Sequence, residues 1–218
     1  MGVPDTSLHV FARAPSPGKA KTRLIPALGA YGASELHARL VRYTLANALS
    51  ADVGPVTLWC ASDLQHPFFA QCAFDFGVVL REQQGDDLGQ RMSHALQCGL
   101  SASGSVLLIG TDCPALTPGV LRKAADAVSE DASIVFVPAE DGGYALVGAR
   151  GQVPPVFDDV PWGGDQVMAV TRRRLESLAL DWYELPSLAD IDTPDDLLRL
   201  QQTHPELLIA LNRLEMTL

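Results

Sequence analysis

Short apolar runs alternate with longer amphipathic segments along nearly the whole chain. The runs have strand length, and the segments between them repeat their apolar residues with the period of an α-helix. The run at 105–110 is apolar on both faces, as a strand at the centre of a parallel sheet would be. This alternation predicts a three-layer α/β/α domain with a mainly parallel sheet. The predicted strands lie at 7–14, 56–61, 77–82, 105–110, 133–138, 144–149 and 182–185, and the predicted helices at 34–49, 87–100, 117–128, 164–178 and 193–202.

The length and composition indicate one globular domain. The 218 residues are 47% hydrophobic and 19% charged, and they contain no internal repeat, low-complexity tract or linker that would divide the chain. We therefore expect a single domain over 1–218, with 205–214 forming a C-terminal packing helix. The segment at 67–74 is ambiguous, because it is too apolar for a loop and short for a helix.

The charge balance limits the partners. Sixteen basic and 26 acidic residues give a net charge of −10, which argues against a nucleic-acid binder. There is no basic-then-apolar leader pattern and no apolar run of about 18 residues that would span a membrane. We expect a cytoplasmic protein with a small-molecule substrate and with neither nucleic acid nor membrane as a partner. The oligomeric state is left open.

The loop after the first predicted strand concentrates positive charge. It contains Arg13, Lys19, Lys21 and Arg23, four of the 16 basic residues, and no acid. Lys and Arg donate charge-assisted hydrogen bonds to phosphate, and a glycine such as Gly18 lets the backbone approach a ligand. The spacing is not that of a Walker A loop. The loop therefore predicts a phosphate or diphosphate site, with a solvated basic loop as the alternative.

Carboxylates follow the central strand and the last strand. Asp112 stands at the carboxyl end of the buried strand, where it could hold a hard cation next to a bound phosphate, or merely cap the following turn. Asp190 and Asp192 precede the last long helix, and one of them could complete a metal site with Asp112. The start of that helix accounts for Asp195 and Asp196, but it leaves Asp190 and Asp192 unexplained.

For two other loops, a ligand-binding role competes with a purely structural one. Asp141 and Gly142, just before Tyr144, could face a ligand, but the Asp-Gly-Gly letters also suit a type I′ hairpin. Gly85 and Asp87 follow the third strand, where Asp87 could simply begin a helix. The sequence contains no GxGxxG, no nucleophile elbow and no CxxC pair, and its five histidines lack metal-ligand spacing.

The order of these motifs resembles one bacterial family. FARAPSPGKAKTRLIPALG, GDDLGQRM, GTDCPALTP, DGGYALVG, WGG and LADIDTPDDL together resemble the glycosyltransferase-A-like proteins labelled nucleotide-diphospho-sugar transferases or arsenosugar-biosynthesis glycosyltransferases. A more distant resemblance is to 2-phospholactate and molybdenum-cofactor guanylyltransferases. The resemblance covers about residues 7–200.

The resemblance implies a role for each matching position. The predicted nucleotide-binding residues are Arg13, Gly18, Lys21, Arg23, Gly85 and Asp87. The predicted catalytic residues are Lys21, Asp112 and Asp141; Gly142 and Tyr144 would bind the acceptor, and Asp112 and Asp192 would hold Mg²⁺ or Mn²⁺. The implied activity is glycosyl transfer from a nucleotide sugar to a small acceptor.

One departure from the family pattern leaves nucleotidyl transfer as an alternative to glycosyl transfer. The letters after the central strand are Thr111-Asp112-Cys113, without the D-x-D triplet that is common in glycosyltransferases of this fold. A single aspartate is closer to the pattern of nucleotidyltransferases, which join a nucleoside triphosphate to a phosphorylated substrate. A non-catalytic nucleotide-binding protein is the third hypothesis.

Overall fold

The computed structural model describes residues 6–61, 63–209 and 211. The strands are β1 (Thr6–Arg13), β2 (Val56–Ala61), β3 (Val79–Glu82), β4 (Ser105–Ile109), β5 (Ile134–Pro138), β6 (Tyr144–Arg150) and β7 (Tyr183–Glu184). The helices are α1 (Ile25–Ala51), α2 (Pro67–Phe76), α3 (Leu88–Ala102), α4 (Pro118–Asp126), α5 (Val167–Ser177) and α6 (Pro194–Thr203). Every strand predicted from the sequence is present, and the ambiguous segment is helix α2.

The strands form one seven-stranded sheet in the order β3-β2-β1-β4-β6-β5-β7. All neighbouring pairs are parallel except those made by β6, which runs antiparallel to both β4 and β5. The predicted Asp-Gly-Gly turn joins β5 to β6 as a hairpin. The carboxyl ends of β1, β4, β5 and β7 and the start of β6 therefore meet at one edge of the sheet.

Helices cover both faces of the sheet. On one face, α1, α2 and α4 bury residues such as Leu45, Phe69 and Leu121 against the strands. On the other face, α3 and α5 contribute Leu96 and Leu175 to a second core. A third cluster packs α1 against α6 and the end of the described chain. The prediction of an α/β/α domain with a mainly parallel sheet is confirmed.

The predicted C-terminal helix at 205–214 is wrong over its described part. Pro205–Leu207 forms a single 3₁₀ turn, whereas 210 and 212–214 lie outside the described residues. Leu207 and Leu211 are nevertheless buried against Leu36 and Leu40 of α1. The apolar residues of this segment thus identified a packing contact, but their spacing did not define a helix.

Among the described residues, no helix is both long and apolar enough to cross a membrane.

A buried histidine on β1 makes the stability of the fold sensitive to acid. The His9 side chain is packed against Trp59, with ring centroids 5.3 Å apart. Burial lowers the pKa of His9 to about 4; a hydrogen bond that the ring donates to the Ala95 backbone opposes this shift, and the Arg81 guanidinium adds to it. The folded state thus keeps His9 neutral at pH values where the unfolded chain, with a pKa near 6.5, takes up a proton.

We expect this difference to destabilise the protein as the pH falls from 6.5 towards 4. A shift of this size corresponds to about 3 kcal/mol at the acidic end. Urea unfolding at pH 7, 5.5 and 4 should show a smaller loss of stability for His9→Phe than for the wild type. Equal losses in the two proteins would show that His9 does not cause the acid sensitivity.

Candidate functional site

A crevice of about 460 Å³ opens at the carboxyl edge of the sheet. It lies where β1 and β4 adjoin, which is where the strand order changes direction, because β2 and β3 are on one side of β1 and β4 is on the other. Open α/β sheets bind ligands at such a point. The walls come from the segments after β1, β4, β5 and β7, the start of α3 and the loop before α5. A smaller hollow of about 180 Å³ adjoins the crevice and shares residues with it, among them Arg13 and Asp112.

The side chain of Lys21 lies buried between the two acidic loops. It is only 4% exposed, and its Nζ is 2.8 Å from Oδ1 of Asp112 and 3.8 Å from Oδ1 of Asp192. The same ammonium donates a hydrogen bond to the carbonyl of Ile191. The backbone of Lys21 is left-handed, with φ of 48°, a conformation that costs energy for a residue with a side chain. Lys21 thus joins the loop after β1 to both loops that carry the predicted metal ligands.

The other basic residues of the first loop surround the smaller hollow. Nη1 of Arg23 is 2.8 Å from Oδ2 of Asp192, and Arg13 and Lys19 also line the hollow. Arg13 and Arg23 reach both the hollow and the main crevice. The basic residues thus line a concave hollow together with Asp112 and Asp192, but only Lys21 is buried, whereas Arg13, Lys19 and Arg23 are exposed, and the phosphate site stays a prediction.

A buried histidine supports the start of this loop. Nε2 of His37 is 3.1 Å from the carbonyl oxygen of Arg13, and the ring is only 3% exposed. Burial lowers the pKa of His37, and the positive charges of Lys21 and Arg13 add to this against the attraction of Asp112. We infer a neutral ring that holds the end of β1 in place. The sequence contained no signal for this role.

Asp112 remains ionised at the floor of the crevice. Burial there would raise its pKa, but the adjacent Lys21 ammonium, with a smaller contribution from Arg13, holds the pKa of Asp112 below its ordinary value. Its side chain keeps 53% of its surface exposed, so one side of the carboxylate is available to a ligand. The backbone carbonyl of Asp112 also accepts a hydrogen bond from the Ile191 amide at 2.8 Å. This bond joins the β4 loop to the loop that carries Asp192.

The carboxylates of Asp112 and Asp192 suit a divalent cation only together with a ligand. Among the described residues, no group of three or more His, Cys, Asp or Glu side chains could hold a metal ion. Two carboxylates beside a phosphate pocket are, however, the donor set with which proteins commonly bind Mg²⁺, the remaining oxygens coming from phosphate and water. Asp112 and Asp192 both approach the ammonium of Lys21, which places their side chains in one region, and their pairing as metal ligands stays a prediction.

Two further carboxylates and two aromatic rings also line the crevice. Asp141 follows β5 and Asp190 follows β7, and both line the crevice together with Tyr144 and Trp162. Burial, and then repulsion from Asp141, raise the pKa of Asp190 to about 6. Oδ1 of Asp141 accepts a hydrogen bond from the Gly143 amide at 2.8 Å. Of these four residues, the sequence singled out Asp141 and Tyr144 as site residues, whereas Trp162 appeared only within the WGG motif.

Gly142 has a packing role in the β5–β6 turn, next to Asp141. Its φ is +91°, and a Cβ atom there would lie 2.0 Å from the carbonyl oxygen of Asp165. Its own carbonyl accepts a hydrogen bond from the Met168 amide at 2.8 Å. Gly142 thus packs the β5–β6 turn against the start of α5, while Gly143 lines the crevice in its place.

Three other predicted nucleotide-binding residues lie outside the crevice walls. Gly18 has φ of +76° in an open turn, where a Cβ would meet no atom within 4 Å. Asp87 caps α3 by accepting a hydrogen bond from the Gln90 amide at 2.8 Å, and Gly85 packs tightly against Gln90. The part of α3 that lines the crevice is instead Leu88 and Met92.

The comparisons with known proteins agree with this geometry. A family model described as "Uncharacterized protein conserved in bacteria (DUF2064)" matches residues 44–164, which is more than half of the chain. The chain belongs to the DUF2064 family. The matched part of this DUF2064 protein includes Asp112, Asp141 and Trp162, whereas Lys21 and Asp192 lie on either side of it. No curated protein matches the sequence.

Several solved structures that resemble this DUF2064 chain are named as transferases or synthases. A protein from Desulfovibrio desulfuricans G20, named as a candidate nucleotide-diphospho-sugar transferase, superposes with a TM-score of 0.84 and 28% identity over 96% of this chain and 94% of its own. A nucleotidyl transferase from Methanothermobacter gives a TM-score of 0.59 at 17% identity, covering 90% and 96%. A 4-diphosphocytidyl-2C-methyl-D-erythritol synthase from Anaerococcus prevotii gives 0.59 at 10% identity, covering 90% and 96%. The last two share the fold, and the resemblance drawn from the motifs is confirmed.

Proposed function

We propose that the protein is a transferase that moves a glycosyl group from a nucleotide diphosphate sugar to a small acceptor bearing a hydroxyl group. The proposal is supported by the D. desulfuricans neighbour, whose name is that of a nucleotide-diphospho-sugar transferase. The crevice lies at the sheet edge where α/β proteins bind nucleotides. The guanidinium groups of Arg13 and Arg23, which line it, match a diphosphate.

The observation that carries the proposal is the mixed charge of the crevice lining. Arg13 and Arg23 line the crevice, and so do the carboxylates Asp141 and Asp190, neither of which forms a salt bridge among the described residues. In nucleotidyl transfer the acceptor is itself a phosphate, and its binding site would then need basic residues in place of these carboxylates. A neutral hydroxyl acceptor has no such need, but it requires a group that accepts its proton.

The residues then have distinct roles. Arg13 and Arg23 bind the diphosphate and stabilise its charge as it leaves. Lys21 holds the two acidic loops in position and adds its charge to the same region. Asp141 accepts the proton of the acceptor hydroxyl. The acceptor oxygen forms a bond to the anomeric carbon while the bond from that carbon to the diphosphate oxygen breaks, and the electron pair departs with the diphosphate.

Asp112 and Asp192 would hold Mg²⁺ or Mn²⁺ together with oxygens of the diphosphate. When bound, such an ion neutralises the charge that develops on the leaving diphosphate. Lys21 and Arg23 lie 2.8 Å from the Asp112 and Asp192 carboxylates respectively, so they would orient the two side chains for this role.

Nucleotidyl transfer is the second candidate, and one observation favours it. The segment after β4 presents the single carboxylate of Thr111-Asp112-Cys113, which is closer to the pattern of nucleotidyltransferases than to a D-x-D triplet. In that reaction a substrate phosphate would attack the α-phosphate of a nucleoside triphosphate, and pyrophosphate would leave.

Product analysis separates the two reactions. We expect the purified protein with Mn²⁺ or Mg²⁺ to hydrolyse at least one nucleotide diphosphate sugar slowly, because water can replace the missing acceptor, and to release the nucleoside diphosphate. Release of pyrophosphate from a triphosphate, with every nucleotide sugar left intact, would contradict glycosyl transfer. A panel that covers each common base and sugar, resolved by anion-exchange chromatography, gives either answer directly.

A further inference from the structure

Oxygens of the two acidic loops already surround a cation, and that cation belongs to the protein. The Lys21 ammonium lies 2.8 Å from Oδ1 of Asp112 and 3.8 Å from Oδ1 of Asp192. It also donates a hydrogen bond to the carbonyl oxygen of Ile191. Carboxylate and carbonyl oxygens are the ligands that suit Mg²⁺ and Mn²⁺ in proteins. The ammonium is therefore held by the same kind of oxygens that a divalent ion would need.

Both carboxylate oxygens of Asp192 face a positive charge of the protein. Oδ1 faces Lys21, and Oδ2 lies 2.8 Å from Nη1 of Arg23. Together with Asp112, these side chains carry two negative and two positive charges, which cancel. A divalent ion bound to Asp192 would have to displace an ion pair, and it would add two positive charges beside Lys21 and Arg23. The protein without a ligand therefore offers a divalent ion little electrostatic attraction.

The Lys21 ammonium can give up these oxygens only in exchange for another anion. Its side chain is 4% exposed, and a buried charge that loses its partner destabilises the protein strongly. Lys21 also lines the smaller hollow, together with Arg13 and Lys19. An anion in that hollow would lie beside the ammonium and could replace the carboxylates as its partner.

We propose that Lys21 fills the cation position of the ligand-free site and thereby makes binding of the divalent metal depend on a diphosphate. Without diphosphate, the ammonium neutralises Asp112 and Asp192 and repels the metal. A diphosphate in the hollow supplies negative charge that balances both Lys21 and the metal, so each ligand strengthens the binding of the other. This role of Lys21 rests on the metal binding that the proposed function assigns to Asp112 and Asp192, and it applies to glycosyl and nucleotidyl transfer alike.

Calorimetric titration with Mn²⁺ alone tests this role directly. We expect Lys21→Met to bind Mn²⁺ about 10- to 100-fold more tightly than the wild type, because the repulsion is removed and the carboxylates are freed. Lys19→Met is the matched control, since Lys19 lines the same hollow but forms no salt bridge among the described residues. It removes the same charge from the chain, and its Mn²⁺ affinity should stay within about 3-fold of the wild type.

Two further measurements give an answer even if Lys21→Met does not fold. The Arg23 side chain is 69% exposed, so Arg23→Met should fold, and because it frees Oδ2 of Asp192 it should tighten Mn²⁺ binding by about 3- to 10-fold. In the wild type, Mn²⁺ with pyrophosphate should raise the melting temperature by more than the sum of the shifts that each probe causes alone.

Three results would overturn the inference and leave the proposed function standing: Mn²⁺ affinity in the wild type equal to that of Lys21→Met and Arg23→Met, an equal gain in Lys19→Met and Lys21→Met, or purely additive shifts with pyrophosphate. Failure of every form to bind Mn²⁺, with and without pyrophosphate, would instead contradict the metal role of Asp112 and Asp192, and the inference with it. The titrations contain no sugar donor, so their outcome is independent of the product analysis that tests glycosyl transfer.

Discussion

Replacing Asp112 with asparagine is expected to reduce turnover by about 100- to 1000-fold while leaving the fold intact. The substitution keeps the shape of the side chain but removes the charge that faces Lys21 and the crevice. A cation held by one remaining carboxylate, Asp192, would be bound more weakly and in the wrong position to neutralise the leaving diphosphate. Steady-state release of the nucleoside diphosphate measures the loss, with Asp181→Asn, an exposed change just before β7 on the opposite edge of the sheet, as the matched control.

The same variant distinguishes a catalyst from a protein that only binds nucleotide. A protein that only binds nucleotide would show no turnover in either form, and the substitution would merely weaken its nucleotide affinity. Turnover that persists in Asp112→Asn at the wild-type rate would remove Asp112 from the mechanism. Because Asp112→Asn leaves the buried Lys21 ammonium beside a neutral group, we expect the melting temperature to fall, and turnover is therefore measured well below the melting temperature of the variant.

Gly142→Ala is expected to destabilise the protein by roughly 2 to 5 kcal/mol, from a left-handed backbone that disfavours a side chain and from overlap with packed atoms. The added Cβ would lie 2.0 Å from the Asp165 carbonyl oxygen and 2.5 Å from its carbonyl carbon. These are main-chain atoms, so they cannot rotate away as a side chain could. The turn carrying Asp141 must then move, and activity should fall with stability.

Gly151→Ala is the control for this prediction. Gly151 has a similar φ of +79°, but a Cβ there would meet no atom within 4 Å. Gly151→Ala should therefore lower the free energy of unfolding by about 1 to 2 kcal/mol, from the unfavourable backbone conformation alone. Urea unfolding of both variants isolates the contribution of the close approach to Asp165. Equal losses would mean that the turn and the start of α5 do not pack as closely as the structure has them.

Many of the residues that line the crevice could be predicted from the sequence, because they directly follow the predicted strands. Parallel strands bring their carboxyl ends to one edge, so Arg13 after β1 and Asp112 after β4 could be placed together from hydrophobic patterns alone. Asp192 could be placed in the same region as Asp112 in the same way, from their positions after β7 and β4, and both approach Lys21. In these places the chain order and the sheet topology determine which segments are neighbours.

Contacts set by packing between distant segments could not be predicted. The hydrogen bond from Lys21 to the Ile191 carbonyl joins residues 170 positions apart, and no local pattern in either loop specifies it. The close approach of Gly142 to Asp165 depends in the same way on where α5 begins. Asp87 fits two local patterns at once: its position after β3 suits a ligand, and the structure shows it capping α3, which is the alternative that the sequence also offered.

Binding of a nucleotide in the crevice is the central claim, and a thermal-shift panel tests it most directly. Nucleoside triphosphates, nucleoside diphosphates and nucleotide sugars are each added with and without Mg²⁺ or Mn²⁺. At about 100 times its dissociation constant a ligand stabilises by roughly 2.7 kcal/mol, which is several degrees for a domain of this size. We predict metal-dependent stabilisation by at least one nucleotide diphosphate sugar, reduced in Arg23→Ala and retained in Asp181→Asn. If none of these ligands raises the melting temperature, the basic loop is not a phosphate site and the proposed function is contradicted.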